Sequence, residues 1–151
     1  MFVARVEARA HSRATEVRER VRLAVLNLYP EEYRDGVKIR ETKTESHHHI
    51  PIIVITASLG NRKGCEATLD SLFQKLSKSD RKDVLRTLDL RLNEQCTLFL
   101  RIDKQSSLIE CVELSNGPDS ISVSIHIRQY PRCVQEETRT HIIQRLESIG
   151  V

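Results

Sequence analysis

Ser120 to Arg128 carries the clearest alternation of apolar and polar residues in the chain. Ile121, Val123, Ile125 and Ile127 alternate with Ser122, Ser124, His126 and Arg128. A period of two sends the aliphatic set to one face of a sheet and the polar set to the other. The segment is therefore a strand with one face in a core and one face in water. Thr97 to Pro131 as a whole reads as strand, polar corner, short helix or turn, strand, turn and strand. Phe2 to His11 also alternates, with Phe2, Ala4, Val6, Ala8 and Ala10 against Val3, Arg5, Glu7 and Arg9. Val37 to Glu45 puts Lys38, Arg40, Thr42 and Thr44 on one side, which predicts a polar edge strand. Ile50 to Leu59 is almost wholly apolar. It predicts a central strand with Pro51 at its start, where no ladder donor is needed.

Helical spacing takes over elsewhere. From Glu16 onward, Val17, Val21, Ala24, Val25 and Leu28 form one apolar stripe. Ser12 and Thr15 are its candidate N-caps, and Tyr29-Pro30 ends it. Glu31 to Gly36 reads as a loop. After the turn GNRKG, Ala67, Leu69, Leu72, Phe73 and Leu76 predict a second helix. Ser79, Asp80 and Asp83 predict the cap of a third, which carries Val84, Leu85 and Leu88. Val134 to Ile149 predicts a last helix with Ile142, Ile143, Leu146 and Ile149 inward and Gly150 as its stop. The order is strand, helix, two strands, two helices, three strands, helix. That order predicts an α+β fold of two layers, a mostly antiparallel or mixed sheet with helices on one face. The other face is expected to meet solvent. Val6, Val54, Leu98, Leu100, Ile121, Val123, Ile125 and Ile127 should line the dry face, under Val21, Val25, Leu72 and Phe73.

Composition narrows the class. The 151 residues are 39% hydrophobic and 30% charged, which fits one globular domain over 1–151. No apolar run reaches membrane-span length, and MFVARVEARAH lacks the core of a signal peptide, so a cytoplasmic protein without a membrane partner is expected. Cysteines stand at 65, 96, 111 and 133 with no CxxC pair, and Cys65, Cys96 and Cys111 sit in apolar contexts. Reduced, buried thiols are expected, not disulfides or zinc ligands.

A net charge of +3 does not mark a nucleic-acid binder, but its distribution changes the picture. Residues 1–22 hold six arginines against three acids. Arg5, Arg9, Lys38, Arg40, Ser122, Ser124, His126 and Arg128 fall on the predicted wet face. Guanidinium groups with hydroxyls between them suit a phosphodiester backbone. With three Phe, three Tyr and no Trp, such a face should read backbone and shape, not splayed bases. A solvated sheet face, with Glu7 and Glu41 balancing the charge, satisfies the same periodicity.

Two further constellations stand out. Arg101, Asp103, Lys104 and Gln105 close a strand, where they could hold an anion. Alternatively, Asp103 caps the next helical turn with Arg101 paired to it. Ser46-His47-His48-His49 is a polar corner in which a metal could use His47 and His49 at most, with another ligand from elsewhere. No nucleophile motif, Walker loop, GxGxxG or HExxH is present, and GNRKG is too short for a P-loop. A non-enzyme without cofactor or metal is expected.

ESHHHIPI before an apolar strand, and RIDKQSS leading to a strand that ends in YP, resemble an archaeal family of small RNA-binding proteins described as a predicted exosome subunit. Glu45, His47, His48 and Pro51 match the first motif. Arg101, Ile102, Asp103, Lys104 and Gln105 match the second, which is the more specific. The resemblance implies a fold similar to the large-subunit ribosomal protein that holds the small ribosomal RNA. It also implies RNA binding in RNA processing or ribosome metabolism, with exosome or ribosome components as partners. The expected RNA contacts are His47, His48, Arg101, Lys104 and Gln105 on one rim of the sheet, with Arg40, Lys43 and Arg128 on the backbone. Two alternatives stay open: an adaptor of an RNA-processing complex with weak RNA contact, and a metal-dependent hydrolase using His47, His49 and Asp103. Salt dependence of RNA binding separates the first alternative, and metal analysis the second.

Overall fold

A computed structural model describes residues 1–150. Within them the strands are β1 (Phe2–Arg13), β2 (Lys38–Glu45), β3 (Pro51–Leu59), β4 (Thr97–Asp103) and β5 (Ser120–Arg128). The helices are α1 (Arg18–Leu26), α2 (Arg62–Lys75), α3 (Lys78–Arg86), α4 (Leu88–Arg91), α5 (Lys104–Leu108) and α6 (Gln135–Ile149). The strands form one sheet in the order β2-β3-β1-β5-β4, and every neighbouring pair is antiparallel. The expected α+β architecture is the observed one. The third strand expected between β4 and β5 is reduced to a single bridge, Leu114 opposite Ile102. Glu31–Gly36 is a 3-10 helix, not an open loop.

β5 is the strand whose alternation was plainest, and it packs as read. Ile121, Val123, Ile125 and Ile127 are buried beside Val6, Ala8 and Ala10 of β1 and Leu98, Leu100 and Ile102 of β4. Val21, Val25, Leu72 and Phe73 join the same core. One register differs from expectation. Val54 pairs across from His11 and Thr42 on the open face, while Ile55, Ala57 and Leu59 go inward. A wholly apolar strand carries no phase of its own, so β1 and β2 set its register. A bulge between Val3 and Arg5 likewise shifts the phase of β1 and buries Val3, where Phe2 was expected.

The caps also differ from the sequence reading. Ser12 is buried inside β1, and α1 begins after Val17 without a side-chain cap. Ser77, not Ser79, caps α3 by accepting from the Asp80 amide at 3.1 Å. Asn61 caps α2, accepting from the Gly64 amide at 2.8 Å. At the far end of α6, Gly150 takes a left-handed conformation at φ 98°, as a C-terminal glycine should.

The cysteine expectation is corrected. Cys96 and Cys133 form a disulfide with their Cα atoms 6.0 Å apart. It ties the start of β4 to the segment entering α6. Cys65 is a buried thiol as expected, whereas Cys111 is exposed.

Candidate nucleic-acid interface

The alternation that buries one side of each strand presents the other side to solvent. β1 contributes Arg5, Glu7, Arg9, His11 and Arg13 to this open face. β2 contributes Lys38 and Arg40, and β5 contributes Ser120, Ser122, Ser124, His126 and Arg128. All the residues expected on the wet face are there. Glu41 is not: it points to the helix layer, where Arg18 and Arg22 of α1 hold it at 3.7 and 3.5 Å. It cannot offset charge on the open side.

Strand pairing sets five of these positions in one row. Arg40 lies opposite Thr56, Thr56 opposite Arg9, Arg9 opposite Ser122, and Ser122 opposite Arg101. Strands sit ~4.8 Å apart, so successive arginines in the row are rooted ~10 Å from each other with a hydroxyl between. Among the described residues, no carboxylate lies within 4 Å of the three guanidinium groups. Arg101 donates only to neutral groups, Ser120 Oγ at 2.8 and 3.2 Å and the Gly117 carbonyl at 3.1 Å. Toward the rim, Arg9, Arg13, Arg101, His11 and Ser122 surround a notch of about 110 Å³. Ala10, Lys104, Pro118 and Ser120 complete its lining.

Two groups on this face are already engaged. Glu7 is bound by Arg5 at 2.7 Å and has His126 at 3.8 Å. Burial first, and the Arg5 charge second, hold the His126 pKa below the usual histidine range despite Glu7. His126 is therefore neutral at pH 7 and adds hydrogen bonding, not charge.

The RIDKQ segment proves largely structural. Ile102 is buried. Asp103 caps α5, accepting from the Ser106 amide at 2.9 Å and its hydroxyl at 2.8 Å. Arg101 is not paired to it. Lys104 is only 4% exposed. Its Nζ bridges Glu16 at 2.8 Å and Asp119 at 2.7 Å and donates to the His11 carbonyl at 3.0 Å. Burial acts to raise the Asp119 pKa, but Lys104, Gln105 and Arg13 outweigh it and hold the carboxyl below its ordinary range. Gln105 is exposed and donates to Asp119 at 3.2 Å. Of the segment, Arg101 and Gln105 face outward, while Lys104, buried and ion-paired, reaches only the lining of the notch.

The histidine corner closes the β2–β3 hairpin. Ser46 Oγ accepts from the amides of His48 and Ile50, both at 3.3 Å, and His49 adopts φ 60° with its ring 3.1 Å from Glu45. His47 and His48 are exposed. The ladders carry this hairpin and the end of β4 to the same rim, but to its two opposite edges, β2 and β4. Four strand spacings, ~19 Å, separate those edges. The two motifs share a rim without meeting. Arg128 lies at the far rim, eight residues or ~26 Å along β5 from Ser120. Lys43 is exposed but lies on the opposite side of β2 from Arg40. Among the described residues, no cluster of three His, Cys, Asp or Glu side chains is placed to hold a metal.

The sequence model of a family described as RNA binding matches residues 5–127. RNA-binding protein PAB1135 of Pyrococcus abyssi is 32% identical over 127 residues, 83% of this chain and 82% of its own. The chain belongs to this RNA-binding family. Among solved structures, protein AF2318 of Archaeoglobus fulgidus is similar with a TM-score of 0.80 at 27% identity, over 95% of this chain and 99% of its own. Mth689 of Methanothermobacter thermautotrophicus shares the fold, with a TM-score of 0.76 at 23% identity over 97% and 98%. The matched region runs from Arg5 to Ile127 and so contains the whole arginine row.

The residues that sequence reasoning left out of its site are Arg9, Arg13, Ser122 and Phe99. Their parity was readable in TLFLRID and in the β1 alternation. Their alignment in one row was not, because it depends on the registers of four strand pairs.

Proposed function

We propose that the protein is a non-catalytic RNA-binding protein that holds the phosphate backbone on the open face of its sheet. Arg9, Arg40 and Arg101 are the central contacts, and Arg13 deepens the notch beside them. His47, His48 and Gln105 extend the contact along the rim, Arg128 marks its far margin, and Lys43 meets the backbone only where it wraps the β2 edge. Lys104 serves indirectly by fixing α5 and the end of β1. The carrying observation is the row itself: three guanidinium groups without carboxylate partners, spaced by hydroxyls across five strands. Arginine suits this use because its planar fork binds phosphate bidentately. Membership of an RNA-binding family supports the same reading. A cytoplasmic role in RNA processing or ribosome metabolism, and contact with exosome or ribosome components, are parts of the proposal. So is a kinship in fold with the ribosomal protein that holds the small ribosomal RNA.

Fluorescence anisotropy with labelled RNA at several salt concentrations tests it. Each neutralised phosphate contributes ~0.7–0.9 to the slope of log affinity against log salt. Replacing Arg9 and Arg101 together by Ala should weaken binding and lower that slope by about 1.4 to 1.8. An unchanged slope in a folded double variant would remove the face from the site. Weak, salt-independent binding by the wild type would favour the adaptor reading. Crosslinking to cellular RNA and sequencing the fragments then identifies the target.

A further inference from the structure

Phe99 is placed against the logic of its strand. It is 44% exposed on the open face of β4, while Leu98 and Leu100 on either side are buried. Ser124 lies directly across from it, and Arg101 follows two residues on along the same face. Burying such a ring would contribute ~1.5–3 kcal/mol, yet the fold leaves it open. It lines a cavity of about 300 Å³ over β5 with Arg9, Thr56, Ser122 and Ser124. The remaining charged group there, Glu7, is neutralised by Arg5. The cavity thus offers an aromatic surface, hydroxyls and, in the adjoining row, two guanidinium groups without carboxylate partners.

We infer that this groove takes a single-stranded stretch of RNA, with one unpaired base stacked on Phe99 and the flanking phosphates on Arg9 and Arg101. The inference rests on the RNA-binding reading above and narrows the ligand from RNA to unpaired RNA. A base inside a duplex has both faces covered by its neighbours and has none to give a protein ring. An unstacked base gains a surface on Phe99 while its phosphates reach the arginine row. This adds one stacked base to the backbone contact expected from the sequence.

The chain has no tryptophan, so Phe99→Trp introduces one tryptophan, excited apart from the three tyrosines, at the proposed stacking position. The probes are an unstructured RNA of about 12 nucleotides and a duplex RNA of the same length, within the site sizes of sheet-face binders. Phe99→Trp keeps an aromatic surface there, and its fluorescence should be quenched as the single strand saturates it and not by the duplex. Phe99→Ala and Phe99→Leu should each lose affinity for the single strand by roughly 5- to 100-fold. Their salt slopes and their affinity for the duplex should not change. Leu keeps much of the apolar bulk of the site, and circular dichroism checks that the fold is retained. Wild-type affinity in Phe99→Leu, or tighter binding of duplex than of single strand by the wild type, would overturn the inference. If the Arg9 and Arg101 variant loses binding while the Phe99 variants keep it, this inference falls and the RNA-binding reading stands. If the wild type shows no salt-dependent RNA binding, both fall.

Discussion

Two basic residues three positions apart do opposite work. Arg101 and Lys104 were grouped by sequence as one basic cluster, yet one is a free cation on an open face and the other a buried strut. The difference predicts a split in stability. Arg101→Ala should change unfolding free energy by less than about 1 kcal/mol, since it loses only solvent-exposed hydrogen bonds to neutral groups. Lys104→Ala strands Glu16 and Asp119 and should cost about 3 kcal/mol, the lower end for a broken buried pair because Asp119 stays partly solvated. Urea denaturation of the two variants checks this, and equal effects would place both residues in the same class. The same measurement separates the faces of the sheet. Ile125→Ala should cost ~2–5 kcal/mol because the side chain is fully buried. Val54→Ala, on the open face, should cost under about 1 kcal/mol.

At the scale of elements, α6 is held by core packing and by several polar contacts, among them one covalent tie and one ionic cluster. The Cys96–Cys133 disulfide closes a loop with a sequence separation of 37. By the chain-entropy account, losing it should cost about 4 kcal/mol. Thermal melts of Cys133→Ser, or of the wild type with reductant, measure this. Reductant should leave the melt of Cys133→Ser unmoved. The second tie is ionic. Arg145 of α6 binds Glu66 and Asp70 of α2 at 2.7 and 2.6 Å, and Glu66 also accepts from the Val3 amide at 2.7 Å. Burial works to raise the Glu66 pKa, but the Val3 amide and Arg145 outweigh it, so the native value lies below the ordinary range. The unfolded chain then takes up the proton first as pH falls. The stabilisation is present above about pH 4.3, the ordinary glutamate value, and is lost as pH drops through the lower native pKa. Glu66→Gln should flatten the acid limb of a stability–pH curve, and an unchanged acid limb would show that the tie contributes nothing.

Across the whole molecule, the placement of charge should decide RNA affinity and the net charge should not. Replacing Arg9, Arg40 and Arg101 by Ala removes three of the positive charges that give the net +3. Replacing Lys75, Lys78 and Lys82, exposed on α2 and α3, removes the same number from the helix layer. The first triple should lose most of the salt-dependent affinity and the second should keep it, by anisotropy at matched ionic strength. Equal losses would reduce the interaction to long-range attraction. The sequence by itself determined the α+β class, the dry face of β5 and β4, and the basic character of the wet face. Each depends on a period along one strand or helix, and a period is a local property. The disulfide, the direction of Val54, the burial of Lys104 and the opposite edges taken by the two motifs were decided by tertiary structure. Cys96 and Cys133 meet only once β4 and the segment after β5 are folded, and Lys104 finds Glu16 and Asp119 only when α5 packs against α1. The arginine row has the same origin: its members are up to 92 positions apart (Arg9 to Arg101) and share a line only through strand register.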